Sequence, residues 1–235
     1  MKIVYNQNDP WEVYLKTLNN CIEKYKCRSL CEIGGGAFPA ISLEQLSQQK
    51  LDYTILDISK VELDRAPNEY KKLEADICQP GLNITERYDF IFSKMLAEHV
   101  KDPKLFHSNV YKLLKPGGIA FHFFPTLYSV PFLINWLVPE SVANFLFKVF
   151  VCNDPIEHKR FPVHYKWCKG PTKKQINNFQ SINYEILEYH GFFGHKYYER
   201  IPVLRNIHKL VVKLLAKLPN PYLTSFAFVI LRKKP

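Results

Sequence analysis

Residues 30–41 read LCEIGGGAFPAI: an apolar run, an acid at Glu32, then Gly34, Gly35 and Gly36 in succession. Three adjacent glycines are costly. Each loses more backbone entropy on folding than any other residue, by about 0.5–1 kcal/mol relative to alanine. Something at this point requires a backbone without side chains, either a tight turn or a loop that lets a ligand approach the main chain. The flanks decide between the two.

Before the glycines, 28–33 reads as a short buried strand, and after them 39–49 reads as a helix. LDYTILDIS (51–59) is a second strand ending in Asp57, and 59–66 is a short helix. KKLEADICQP (71–80) holds a brief strand ending at Asp76, and YDFIFS (88–93) is a fourth. Asp102-Pro103 opens a helix through Leu114, and LKPGGIAFHFF (114–124) turns into a fifth strand. At the start of the chain, Asp9-Pro10 followed by WEVYLKTLNNCIEKYK has the cap-then-proline signature of an amphipathic helix. Strands alternating with helices, each strand a nearly continuous apolar run, imply an α/β fold with a parallel sheet covered on both faces. In such sheets a ligand crevice opens at the carboxyl ends of the strands, and the glycines stand at the carboxyl end of the first.

Past 125 the pattern changes. Residues 127–151 (LYSVPFLINWLVPESVANFLFKVFV) are apolar and aromatic, but Pro131 and Pro139 break them and Glu140 and Lys148 charge them. That suits two short helices packed as a cap rather than a membrane span. Residues 171–180 form a helix with Thr172 as N-cap, and 182–189 a sixth strand. An amphipathic basic helix follows over 200–218, then a seventh strand over 222–233. No repeat or low-complexity linker interrupts the chain, so 1–235 reads as a single domain, with a core of 28–125, a cap of 126–220 and a final strand.

The net charge of +10 is unevenly placed. Residues 1–140 carry 16 Lys+Arg against 17 Asp+Glu, whereas 141–235 carry 16 against 5. Such asymmetry suggests an anionic partner: an acidic or phosphorylated substrate, a membrane surface, or nucleic acid. A solvated basic face with no partner is the plainer alternative. The six cysteines contain no C-x-x-C, and Cys21, Cys27 and Cys31 are too irregularly spaced for a metal cluster. No bound metal is expected, and the thiols suit a reducing compartment. MKIVYNQNDP (1–10) has no apolar core of a signal peptide, which points to a cytoplasmic protein.

Two phosphate-binding loops fail at the glycines. No G-K-[ST] follows, and a dinucleotide fingerprint built on Gly34 and Gly36 would need a glycine where Pro39 stands. In its order of motifs the sequence instead resembles the class I S-adenosylmethionine-dependent methyltransferases. LCEIGGGAF resembles their first motif, with Phe38 standing where a further glycine is usual. LDIS, EADIC, YDFIFSKMLAEHVKDP and LLKPGGIAFHFFP follow in the family's order over 28–125.

The resemblance, over 28–125, implies a Rossmann-like sheet; with the strands read above this is a seven-stranded, mostly parallel sheet with its last strand antiparallel and a helical cap after the fifth. It implies S-adenosylmethionine as cofactor and S-adenosylhomocysteine as product. Glu32, Gly34, Gly35 and Gly36 would form the cofactor loop. Asp57, with Ile58 beside it, would bind the ribose hydroxyls, and Asp76 with Ile77 the adenine. Ser93 and Lys94, with Met95, would line the methionine end through backbone groups. The chemistry is apt, because a carboxylate can accept two hydrogen bonds from a vicinal diol.

For the acceptor, the place after the fourth strand reads SKML, without the Asn/Asp-Pro-Pro-aromatic turn or the cysteine of base methyltransferases. Nucleic acid is therefore disfavoured. A small, amphiphilic or lipid- or sugar-linked acceptor remains, with methylation of oxygen favoured over nitrogen or carbon. A hydroxyl acceptor needs a base, and His99, His195 and His122 are the candidates. Glu98-His99-Val100 is also similar to the ubiquinone-pathway O-methyltransferases, some of which hold a metal there, but the earlier acid of that pattern is Met95 here. The basic helix carries Lys209, Lys213 and Lys217 at i, i+4, i+8 beside an apolar stripe, which suits an anionic membrane, a pocket guard, or simply a cover for the sheet. A non-catalytic methyltransferase-like module that binds a membrane or protein partner through this basic part is the rival reading.

Overall fold

The computed structural model describes residues 1–137 and 162–234. One eight-stranded sheet forms the centre. Its strands are β1 (Lys2–Asn6), β2 (Ser29–Ile33), β3 (Asp52–Asp57), β4 (Lys71–Glu74), β5 (Tyr88–Lys94), β6 (Leu114–Pro125), β7 (Tyr184–Phe192) and β8 (Phe226–Lys233). Their order is β1-β7-β8-β6-β5-β2-β3-β4. Only β8 runs against its neighbours β6 and β7, so the expected antiparallel last strand is present.

Among the described residues the sheet has eight strands rather than seven. The additional strand is β1, which pairs in parallel with the edge of β7 from Lys2↔Glu188 to Asn6↔Phe192. The other bounds shift modestly. The helix expected over 39–49 begins only at α2 (Leu43–Gln49), because the Ser42 side chain caps Gln45. The brief third motif strand stops at Glu74, two residues short of Asp76.

Helix α1 (Pro10–Lys24) starts where Asp9 accepts from Trp11 N, with Pro10 in the first turn where its missing N–H costs nothing. It buries Tyr14, Leu18, Cys21 and Ile22, one face at helical spacing. Tyr14 stacks on Phe121 and Phe123 of β6 with ring centroids 5.3 and 4.9 Å apart. Short α3 (Lys60–Arg65) follows β3, capped by Ser59. Helix α4 (Pro103–Leu113) repeats the Asp-Pro start at Asp102 and packs Phe106, His107, Val110 and Leu113 inward. Beyond β6, α5 (Val130–Leu137) is the first helix of the expected cap. The remainder of that cap, 138–151, lies outside the described residues. Helix α6 (Lys173–Gln180) has Thr172 as its N-cap, as expected, and α7 (Pro202–Lys217) is the basic helix.

The chain leaves β2 in two directions. It goes through β3 and β4 to one edge, then returns to β5 and β6 on the other side of β2. A crevice therefore opens between the carboxyl ends of β2 and β5, where the connections part. The glycine loop and the end of β5 flank it.

Candidate active site

The three glycines answer to three different neighbours. Gly34 has φ +75°, and a Cβ on it would stand 2.9 Å from Leu96 Cδ1 in the loop after β5. Gly35 would press a Cβ to 3.0 Å from both Glu32 Cδ and Ile55 Cγ2. Gly36, at φ +43°, would meet Glu62 Cβ at 3.2 Å and Asp57 Oδ2 at 3.3 Å. The loop thus lies tight against side chains of β2, β3, α3 and the post-β5 loop. Met95 leaves β5 at φ 52°, a left-handed conformation that a side chain adopts at a cost and that often marks functional turns.

Beneath the loop lies Glu32. Its buried Oε2 accepts from Ala40 N at 2.8 Å and from the Tyr53 hydroxyl. The expected direct part in cofactor binding is corrected to this extent: the carboxylate is turned under the loop and holds its far end. Burial raises the pKa of Glu32 while the two donors lower it, and burial pushes that of Tyr53 up further still. Because Glu32 takes the Ala40 N–H, 37–41 stays a loop instead of joining α2.

Asp57 stands half-buried at the end of β3. Its Oδ1 accepts from Ser59 N at 2.9 Å, and backbone donors at Gly36 and Ile58 also face the carboxylate. Burial raises its pKa, opposed by those donors. Ile58 next to it is 60 % exposed, an apolar side chain offered at the rim of the crevice. Asp76 Oδ1 accepts from Cys78 N, and Asn109 of α4 ties this turn down by donating to Ile77 O at 2.8 Å and Gln79 O at 3.1 Å. Ile77 is buried beneath it. Ser93 Oγ is committed inward, 2.8 Å from His122 Nδ1, so only its main chain, with that of Lys94, borders the crevice. The donor set fits S-adenosylmethionine: a glycine backbone, a carboxylate one strand over for a diol, and apolar side chains for a purine.

The candidate bases separate clearly. His122 is not at the mouth: its ring is fully buried in β6 beside Phe106 and His107. Burial presses its pKa down to about 3, so it stays neutral and cannot cycle a proton near pH 7. His195 is stacked on His208 of α7 at 4.0 Å, and its Nδ1 accepts from Tyr197 N at 3.3 Å. Burial and His208 take its pKa to about 3 as well. It joins loop to helix.

His99 lies in a 3₁₀ turn, Ala97–His99, directly after β5. Its Nδ1 is 3.0 Å from Pro162 O, a group that can only accept, so Nδ1 carries a proton. Nε2 lies 3.9 Å from Glu98 Oε1.

Glu98 reads from the sequence only as part of the Glu98-His99-Val100 pattern, not as a group in its own right. Its carboxyl is buried, Oε2 has no hydrogen-bond partner among the described residues, and burial carries its pKa to about 8. Its main-chain carbonyl accepts from His164 N at 2.7 Å and Tyr165 N at 3.1 Å, which locks 162–165 over the turn. Phe132 of α5 packs against Tyr165 at 6.3 Å and Tyr197 at 5.3 Å. Burial, then the Glu98 charge, pushes the Tyr197 hydroxyl up to about 12. An acid followed by histidine after β5 was the available signal, but the aromatic wall comes from three distant segments. Among the described residues no cluster of three metal-binding side chains occurs. A surface depression of about 660 Å³ lined by Ile22, Lys26, Arg28 and Gln49 opens at the amino ends of β2 and β3, opposite this site.

Comparison with known proteins agrees with this geometry. Residues 31–122 match the family described as Methyltransferase domain. A SAM dependent methyltransferase from Archaeoglobus fulgidus superposes with a TM-score of 0.58 at 16% identity, covering 94% of each chain. One from Clostridium acetobutylicum gives 0.58 at 13% identity, over 96% of this chain and 92% of its own. Phosphoethanolamine N-methyltransferase 2 of Haemonchus contortus, in complex with S-adenosyl-L-methionine, gives 0.53 at 14% identity, over 94% of this chain and 53% of its own. No curated protein is a significant match to the sequence. Residues 31–122 thus carry a methyltransferase domain, and the fold is consistent with the class I S-adenosylmethionine-dependent methyltransferases. The matched domain and the fold support an enzyme that transfers a methyl group, with S-adenosylmethionine as its cofactor.

Proposed function

We propose that the enzyme methylates a hydroxyl of a small amphiphilic acceptor, with His99 as the base. The observation that carries this reading is the place of His99 in the turn directly after β5, beside the buried Glu98 and with Nδ1 oriented by the Pro162 carbonyl. Bound S-adenosylmethionine supplies an electrophilic methyl group. The glycine loop, Asp57 and the Asp76 turn hold and orient it, and Phe132, Tyr165 and Tyr197 keep water from the acceptor. As the acceptor oxygen gains the methyl, its proton passes to His99 Nε2, and the Pro162 carbonyl steadies the resulting imidazolium through Nδ1–H. Glu98, protonated near neutral pH, donates a hydrogen bond to the acceptor and fixes its approach.

A second reading has one supporting observation. A buried acid among aromatic rings also suits an amine, and the Haemonchus relative is named for nitrogen methylation. The five cysteines among the described residues are unpaired, four of them buried, and suit a reducing, cytoplasmic setting. The test uses methyl-labelled S-adenosylmethionine with hydroxylated amphiphiles, soluble phenols, amines and RNA, and mass spectrometry to locate the label. An O-methyl ether is expected. Label on nitrogen that is insensitive to His99→Gln, or label on RNA alone, overturns the reading.

A further inference from the structure

Helix α7 does not cover the sheet with its apolar stripe. Of its residues only Val212 is buried, together with the half-buried Arg205, His208, Leu215 and Ala216 along the same side. At about 100° per residue, Val203, Ile207, Leu210, Val211, Leu214 and Leu218 share a second face about 130° away. All of them face solvent, from 44% exposed at Val211 to 71% at Leu218. Lys209, Lys213 and Lys217 form a third face that flanks the apolar one. The helix is therefore divided into anchoring, apolar and cationic faces, and the apolar face is the outermost.

The apolar surface continues beyond the helix. Tyr222 and Leu223 are exposed just past it, and the Tyr222 ring lies 6.3 Å from that of Tyr128. Tyr128 precedes α5, whose Val130, Trp136 and Leu137 are also exposed. Lys169 Nζ sits 5.3 Å from the centre of the Tyr128 ring. Phe132 of the same α5 belongs to the aromatic wall over Glu98, so this surface borders the mouth of the active site.

We infer that α7 and the rim of α5 form a docking surface for an anionic lipid bilayer. Charge selects that occupant. After Glu199 the chain has no acid, whereas residues 200–235 carry eight Lys and Arg. A second copy pairing through the same face would bring no carboxylate to the lysine row. A nucleic acid would meet the lysines but leave the apolar row in water. A bilayer satisfies both, with acyl chains under the leucines, headgroups at the lysines, and Tyr and Trp at the boundary between them. No described helix is long and apolar enough to cross a membrane, so the helix lies in the surface plane. The inference goes beyond the methyl-transfer chemistry and does not depend on which atom is methylated.

Vesicle co-sedimentation of the full chain tests it, with phosphatidylcholine vesicles and with vesicles containing about a third phosphatidylserine. Binding to the anionic vesicles is expected, weakening as salt screens the lysines. Replacing Lys209, Lys213 and Lys217 together by Gln should lower the partition coefficient by about a hundredfold. L210E/L214E should abolish binding while leaving the response to S-adenosylhomocysteine intact, which separates failed docking from failed folding. Absence of binding by the wild type overturns the inference, as does binding that L210E/L214E leaves unchanged. A dimer in solution that L210E/L214E dissociates would assign the face to a second copy and overturn it equally.

Discussion

Replacing His99 by Gln is expected to lower kcat by about 10²–10⁴-fold, the range general-base catalysis contributes, with little effect on S-adenosylhomocysteine binding. The two effects should separate because His99 stands after β5, while the ribose and adenine contacts are assigned to the ends of β3 and β4. Gln keeps a donor for Pro162 O and removes the basic nitrogen, so the 162–165 segment should stay in place. Steady-state kinetics on the acceptor identified by labelling would measure the loss. An unchanged kcat would remove His99 as the base, and a simultaneous loss of cofactor binding would show that the turn is structural.

The second large effect concerns stability. Glu98→Gln should raise the unfolding midpoint at pH 7–8 by about 5–10 °C and leave it unchanged near pH 4. The sign follows from the burial of the carboxyl, which lifts its pKa from an ordinary 4.5 to about 8. Below pH 4.5 the group is protonated in both folded and unfolded chains, and it costs nothing to fold. Between about 4.5 and 8 the unfolded chain releases a proton that the folded chain keeps, so stability falls as pH rises. The deficit reaches roughly 3 kcal/mol at pH 7, and a neutral amide escapes it. A stabilising change beside the candidate base is what a functional acid predicts, because the fold tolerates it against its own stability. A midpoint shift independent of pH would show that Glu98 is not held protonated.

The sequence reported most plainly where backbone requirements are local. The glycines, the acid at the end of β3 and the two Asp-Pro helix starts each depend on a few adjacent residues, and each stands where the pattern put it. Long-range pairing was less readable. Strand β1 is five residues long, half-exposed at an edge, and held by a partner more than 180 positions away, so KIVYN gave no local sign of pairing. The late start of α2 depends on Glu32 reaching Ala40 from the strand before. His122 and His195 read as mouth residues because their strands end there, but only packing reveals that one ring lies inside the sheet and the other against α7. Likewise, the tautomer of His99 is set by Pro162, 63 residues onward.

The most direct test of the whole account is the unfolding midpoint with and without S-adenosylhomocysteine, for the wild type and for Asp57→Ala. Ligand at 100 times its dissociation constant stabilises by about 2.7 kcal/mol, worth roughly 5–10 °C in a chain of this size. A shift of that order in the wild type, lost in Asp57→Ala, is the predicted result. No shift at millimolar ligand in the wild type would contradict it and leave the three glycines serving a turn.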